Sequence, residues 1–227
     1  MTGRGSDRNY LVVIGDIRGS RELPNRAELQ KLMEDGLDSI NDEFSDALVS
    51  GFVITLGDEF QGLLGRPEDA MPVLAALDSV LARAIPLRYG LGWGTVSTEI
   101  RDLAVGMDGP CFHNAREAVE RGKRDDRWAT AMGFGEDDQT INALLRMGGD
   151  VRARWTDVQR ETVEQARKTR TQREGAASRG VHESAVSQAL KAAMHESLLE
   201  AESAAAALMS RHGEAGSGGR GDREEAR

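Results

Sequence analysis

Leu11-Val12-Val13-Ile14-Gly15 and Phe52-Val53-Ile54-Thr55-Leu56-Gly57 are near-unbroken apolar runs of strand length, and each stops at an aspartate, Asp16 and Asp58. Runs of this kind read as central strands covered on both faces. Between them, after Pro24, the residues Ala27, Leu29, Leu32, Leu37, Ile40 and Phe44 keep roughly helical spacing, which predicts an amphipathic helix to about Leu48. Strands near 49–56 and 60–64 then flank Gly57-Asp58. Pro67 opens a second helix through Ala70, Val73, Leu74, Leu77, Val80 and Leu81. From Leu87 to Gly94 apolar positions alternate with small or polar ones. The three glycines of that strand, Gly90, Gly92 and Gly94, mark a close approach of backbone or ligand. A Gly-rich loop over 106–110 leads into a helix from about Phe112 to Arg121, and Trp128 to Phe134 reads as one more strand.

The order strand, helix, hairpin, helix, strand, helix, strand predicts an α+β fold with a ferredoxin-like, palm-type βαββαβ sheet over residues 9–136. After about 138 the pattern is helical only: 139–147, 155–169, a third cluster from Thr171, and an Ala-rich stretch over 192–209. In that last stretch Leu190, Met194, Leu198, Ala201, Ala205 and Leu208 recur on one face. These segments predict an all-α module over 139–210, and the Gly/Arg/Glu/Ser composition of 213–227 predicts a disordered tail.

Composition narrows the partners. The net charge of −9 argues against a protein that coats nucleic acid over its whole surface. Residues 152–191 reverse the sign, with nine Lys/Arg against five Asp/Glu, so a separate module with a different partner is expected there. A single cysteine, Cys111, excludes an internal disulfide and suits a small buried residue. No run reaches membrane-spanning length and the start of the chain has no secretory pattern, so no membrane partner and a cytoplasmic location are expected. The four histidines have no metal-ligand spacing.

Two carboxylates converging at the ends of buried strands repel each other unless a hard cation lies between them. Asp16 and Asp58 are therefore candidate ligands of Mg²⁺ (or Mn²⁺), and the natural companion of that ion is a nucleoside polyphosphate. Around them, Gly15, Arg18, Gly19, Ser20, Gly57 and Glu59 are the candidate nucleotide-binding positions. The Ile17-Arg18-Gly19-Ser20 turn has the form that points amide N–H groups at phosphate oxygens. The plainer alternative is structural: Gly57-Asp58 is an ordinary hairpin signal, and an aspartate often caps a strand-to-loop transition.

Residues 171–191 have helix-turn-helix spacing. Ala176 supplies the small residue on the first helix, Gly180 the turn position tolerating φ > 0, and Val186 the buried aliphatic on the second helix. Ser184, Ser187, Gln188 and Lys191, with Gln172 upstream, are then the candidate contacts to double-stranded DNA. Gly175 and Arg179 stand where an aliphatic is usual, and a helical hairpin for protein contacts is the alternative.

Val13-Ile14-Gly15-Asp16-Ile17-x-Gly-Ser, Ile54-Thr55-Leu56-Gly57-Asp58-Glu59-Phe60-Gln61-Gly62, Arg88-Tyr89-Gly90-Leu91-Gly92, and Gly109-Pro110 with Ala115-Arg116 together resemble the SatD family over roughly residues 10–134. They are more distantly similar to class III nucleotidyl cyclases, and Gly57-Asp58-Glu59-Phe60 is similar to the GGDEF diguanylate cyclase turn. The cyclase resemblance implies that Asp16 and Asp58 hold metal and that Ile17 lends a backbone carbonyl to it. It also places Ile54 where the cyclases carry a base-reading lysine, and His113 and Glu117 where they carry an asparagine and an arginine. Asn114 and Arg116 lie nearby but out of register, so no catalytic residue is assigned.

Taken together, a nucleotide-responsive, DNA-binding transcriptional regulator is expected, working as a homodimer on paired half-sites. The alternatives are an active nucleotidyl cyclase or nucleotidyltransferase, and a non-catalytic scaffold.

Overall fold

The computed structural model describes residues 6–19, 26–81, 85–169 and 182–215. Five strands, β1 (Ser6–Ile17), β2 (Leu48–Leu56), β3 (Glu59–Leu64), β4 (Leu87–Val96) and β5 (Ala129–Met132), form one sheet in the order β2-β3-β1-β4-β5. Helix α1 (Arg26–Glu43) joins β1 to β2, α2 (Ala70–Leu81) joins β3 to β4, and α3 (Pro110–Arg124) joins β4 to β5. The first four strands pair only antiparallel, and β5 adds parallel to β4. Strand order 2-3-1-4 with helices after β1 and β3 is the split βαββαβ arrangement that the sequence pattern predicts. Helices α4 (Asp138–Arg152), α5 (Asp157–Lys168), α6 (Glu183–Ala192) and α7 (His195–Ala215) follow.

The alternation of β1 sorts its residues to two cores. Leu11, Val13 and Ile17 join Met33, Leu37 and Ile40 of α1 and Val73, Leu74 and Leu77 of α2 on one face. The apolar face of α1 keeps Leu37 and Ile40 as predicted, but Met33 is buried in place of Leu32, which lies 36% exposed. The helix also stops at Glu43, because Phe44 and Ala47 close a turn that feeds β2 at Leu48. On the same face Phe60 lies over Gly15 and Phe52 over Gly62, each ring filling the room a missing side chain leaves.

Tyr10, Val12 and Ile14 face the other way, toward Cys111, Phe112, Ala115 and Val119 of α3. Here β4 offers the helix Gly90, Gly92 and Gly94. A Cβ at Gly92 would overlap the carbonyl oxygen of Cys111, and one at Gly90 that of Ala115. The partner that the three glycines admit is thus a helix backbone. Burial pushes the Cys111 thiol up to about 12, as expected of an inert packing residue. The loop after β4 closes the rest of this face, with Ala104 accepting from Gln61 and Gly51 donating to Asp102 at 2.7 Å.

Two of the C-terminal helices share the larger core: Ile141 and Leu145 of α4 and Met209 of α7. A separate small cluster, Val163, Val186, Leu190 and Ala193, holds α5 to α6. The helix predicted over 192–209 begins instead at His195, because Met194 adopts φ +54° and separates α6 from α7. Among the described residues no helix is long and apolar enough to cross a membrane.

The glycine track yields a comparison of two substitutions. Gly92→Ala drives a Cβ into helix backbone that has no room to yield and should cost about 3 kcal/mol. Gly57→Ala, at φ +66° with nothing within 4 Å, should cost only about 1 kcal/mol of backbone strain. Urea unfolding of both variants checks this, and equal losses would refute the close helix–strand packing.

Candidate functional site

Strand β1 continues past Gly15, where the apolar run stops, and Asp16 is paired on both sides, opposite Glu59 of β3 and opposite Arg88 of β4. Asp16 is therefore not at a strand tip. It lies within the sheet, on the α3 face, because the extra residues find hydrogen-bonding partners as far as Ile17 opposite Leu87. Residues directly opposite each other share a face, so Asp16, Glu59 and Arg88 form one row.

Helix α3 completes that row. Lys123 Nζ lies 3.1 Å from Asp16 Oδ1, and Arg88 NH1 lies 3.4 Å from Asp16 Oδ2. Arg116 pairs with Glu59. Lys123 also reaches Glu120 at 3.1 Å. Arg88 bonds onward to Asp126 at 3.4 Å, and Arg18 pairs with Asp126 at 3.2 Å. Arg88 is fixed from above by Gly122, where a Cβ would stand 3.2 Å from its Cδ. Beyond Arg18 and Asp126 a cleft of about 790 Å³ opens toward α4 and α5, lined by five arginines and five carboxylates.

Burial raises the Asp16 carboxyl above its ordinary value of 3.8; Lys123 and Arg88 pull it down, and Asp58 pushes it up. Asp58 thus sits close enough for its charge to be felt at Asp16. Burial opposes the charge on Lys123, but its bonds to Glu120 and Asp16 leave its pKa raised. Arg116 is raised chiefly by its hydrogen bond to Glu59.

The structure brings Asp16, Asp58 and Glu59 to one end of the sheet. Ile17 follows in β1 with its side chain in the larger core. Gly57 makes the turn into β3 at φ +66°. Gly15 accommodates Phe60 on the opposite face. Gly19, also at φ +66°, is exposed, whereas the amide of Arg18 donates to the Pro86 carbonyl at 2.8 Å and is not available to a phosphate. Ser20 and Gln172 lie outside the described residues, as do Gly175, Ala176, Arg179 and Gly180 of the helix-turn-helix pattern. Ser184, Ser187, Gln188 and Lys191 are all exposed on α6, while Val186 is buried.

Sequence reasoning missed three cations of the row: Arg88, Arg116 and Lys123. Spacing carried a signal for two of them, since 116, 120 and 123 fall on one helix face as Arg, Glu and Lys. Of the nearby pair on α3, Asn114 donates to the Trp93 carbonyl at 2.8 Å and serves packing, while Arg116 reaches the carboxylates.

Among the described residues no group of three or more His, Cys, Asp or Glu is placed to hold a metal ion. The donor set nonetheless fits Mg²⁺, which keeps waters and binds through one or two carboxylates plus the phosphates of its nucleotide. Buried Asp16, with the charge of Asp58 reaching it, would supply that pair of hard oxygen ligands.

Residues 10–209 match the SatD family. No curated protein matches the chain. Among solved structures, a bacterial light-regulated adenylyl cyclase is 13% identical, covering 55% of this chain and 75% of that one, with a TM-score of 0.42. The catalytic core of a rhodopsin-guanylyl cyclase with converted specificity, in complex with ATPαS, is 20% identical over 50% and 72%, with a TM-score of 0.40. The monomeric guanylyl cyclase domain of a RhoGC fusion protein from the aquatic fungus Blastocladiella emersonii is 18% identical over 52% and 78%, with a TM-score of 0.38.

The charges around Asp16 make a signed prediction. Its contribution to folding stability is full below the unfolded pKa and is lost as pH rises through the raised folded pKa. A ¹³C titration of its carboxyl should give a midpoint above 3.8, moving higher in Lys123→Met and lower in Asp58→Asn. A midpoint at or below the ordinary value would mean that the cations outweigh burial.

Proposed function

The chain belongs to the SatD family, and on that premise we propose that it binds a nucleoside polyphosphate through a divalent cation on the α3 face of its sheet. Asp16 and Asp58 would hold Mg²⁺ or Mn²⁺, with the Ile17 carbonyl beside them. The bound cation supplies positive charge that draws the phosphates onto this face. The chain's own residues do the rest. Arg88 fixes Asp16 in its buried position, and Glu59 holds Arg116 over the same edge. Lys123 and Arg116 offer cations to phosphate oxygens from one side of α3. Gly57 gives the turn the sharpness that brings Asp58 back toward Asp16.

One observation carries this reading. Asp16 is buried, the charge of a second carboxylate reaches it, and cations hold it from two directions, Lys123 on α3 and Arg88 on β4. A carboxylate held so expensively inside a sheet is not required for the fold, since an apolar residue at that position would pack against α3 without desolvation cost.

The exposed Ser184, Ser187, Gln188 and Lys191 on α6, beside the basic excess of 152–191, support the further proposal that nucleotide binding regulates contact with double-stranded DNA. A homodimer in the cytoplasm suits a paired operator. The enzymatic alternative also has an observation in its favour. Arg116 stands at the carboxylates, so a cation for developing phosphate charge is present although it is out of the cyclase register.

Calorimetric titration with ATP and GTP, with and without Mg²⁺, tests the first proposal. Asp58→Asn should abolish the Mg²⁺-dependent binding while leaving thermal unfolding of the free protein little changed. Retained affinity would reduce Asp58 to a hairpin turn. Pyrophosphate release at about 1 s⁻¹ or faster would make the protein an enzyme rather than a sensor.

In mobility-shift assays Lys191→Ala should weaken binding to all DNA sequences alike. Gln188→Ala should cost about 1–3 kcal/mol on the preferred site only. No retention of DNA at low salt, with or without nucleotide, would turn α5 and α6 into a protein-contact unit.

A further inference from the structure

Both oxygens of Asp16 are occupied: Oδ1 by Lys123 and Oδ2 by Arg88. A metal ion that takes Asp16 as a ligand must therefore displace one of the two cations or lie against them at a Coulombic cost. The two are not equally replaceable. The Arg88 side chain is 10% exposed and runs beneath Gly122, with a second carboxylate, Asp126, holding its far nitrogen. The Lys123 side chain is 36% exposed and already shares its ammonium with Glu120 at the helix surface. A lysine on a flexible stem, with a second partner in reach, loses little when it leaves the first.

We infer that Lys123 is an exchangeable counter-charge: it neutralises Asp16 in the free protein, yields that carboxylate to the divalent cation, and turns its ammonium to the incoming phosphate. This rests on the metal–nucleotide reading of Asp16 and Asp58 proposed above. Arg88 stays in place throughout and keeps Asp16 charged and oriented. No bond is made or broken; only the partners of three charges change. The device makes metal and nucleotide binding mutually dependent. Metal alone must displace the lysine into water, whereas metal arriving with a polyphosphate offers the lysine a new anion. Free Mg²⁺ therefore leaves the site largely closed until nucleotide is present.

The exchange predicts effects of opposite sign from one substitution, which a purely structural lysine does not produce. Lys123→Met should bind Mn²⁺ alone about tenfold more tightly than the parent protein, read from the loss of the free-ion EPR signal. It should bind ATP or GTP in the presence of Mg²⁺ about tenfold more weakly, read by calorimetry. Lys123→Gln, which keeps a hydrogen-bond donor without the charge, should show the same two signs and guards against a packing defect in the methionine variant. Circular dichroism confirms that both variants are folded. If metal and nucleotide affinities fall together, or neither changes, Lys123 is a structural ion-pair partner and the exchange is wrong. If the parent protein itself binds no nucleotide with Mg²⁺, the metal–nucleotide reading fails first and takes the exchange with it.

Discussion

The backbone of α3 lies directly on the backbone of β4, and the charged row depends on that contact. Side chains normally hold packed layers apart, about 10 Å for two stacked sheets. Gly90 and Gly92 remove that spacer, and the carbonyls of Ala115 and Cys111 descend into the space. Gly122 continues the approach about two turns further on, against the stem of Arg88. The close approach carries Arg116 and Lys123 to the carboxylates of β1 and β3. With an alanine track the helix would ride higher and a lysine of ordinary length would end short of Asp16.

The resulting charge balance is local rather than global. The protein as a whole is acidic, yet Asp16 and Glu59 face three cations in the sheet and on α3. Burial of an ion cluster is costly, and a buried pair is weak evidence of stabilisation. Burial is the largest influence on Asp16 and, together with Asp58, leaves its carboxyl raised against the pull of Lys123 and Arg88. An apolar residue in the same place would avoid that desolvation.

A second buried network ties the C-terminal helices to the sheet. Asp78 of α2 accepts from Tyr89 at 2.9 Å and from Trp128 at 3.1 Å, and Arg152 of α4 stacks on Trp128 at 4.1 Å. Arg152 also pairs with Glu202 of α7, which holds Arg167 of α5 at 2.7 Å. Strand β4 thus carries Arg88 toward Asp16 on one face and Tyr89 toward Asp78 on the other. Through Asp78, Arg152 and Glu202, contacts thus run from β4 to α4, α7 and α5, and the Val163–Val186 cluster joins α5 to α6.

Much of the architecture was legible because it rests on period and punctuation. The unbroken apolar run of β1, the alternation of β4, the helical spacing of α1 and α2, and the Gly57-Asp58 turn are local properties, and the structure has strands, helices and a turn there. The chain order alone pointed to the βαββαβ sheet. Where the local signal was degenerate it slipped by a residue or two: Leu32 and Met33 are equally apolar, and only packing against α2 decided which one is buried. The end of β1 was hidden for the same reason, since Asp16 looks like a stop signal until Glu59 and Arg88 are seen paired on either side of it. The sequence by itself determined that two aspartates follow two buried runs and that three glycines line one strand. Only the tertiary structure decided that those glycines admit a helix rather than a ligand. It also decided that Arg88, Arg116 and Lys123, between 29 and 107 positions away from Asp16 and Glu59 in the chain, stand around the carboxylates. Strand pairing and helix docking set those neighbours, and no spacing along the chain encodes them.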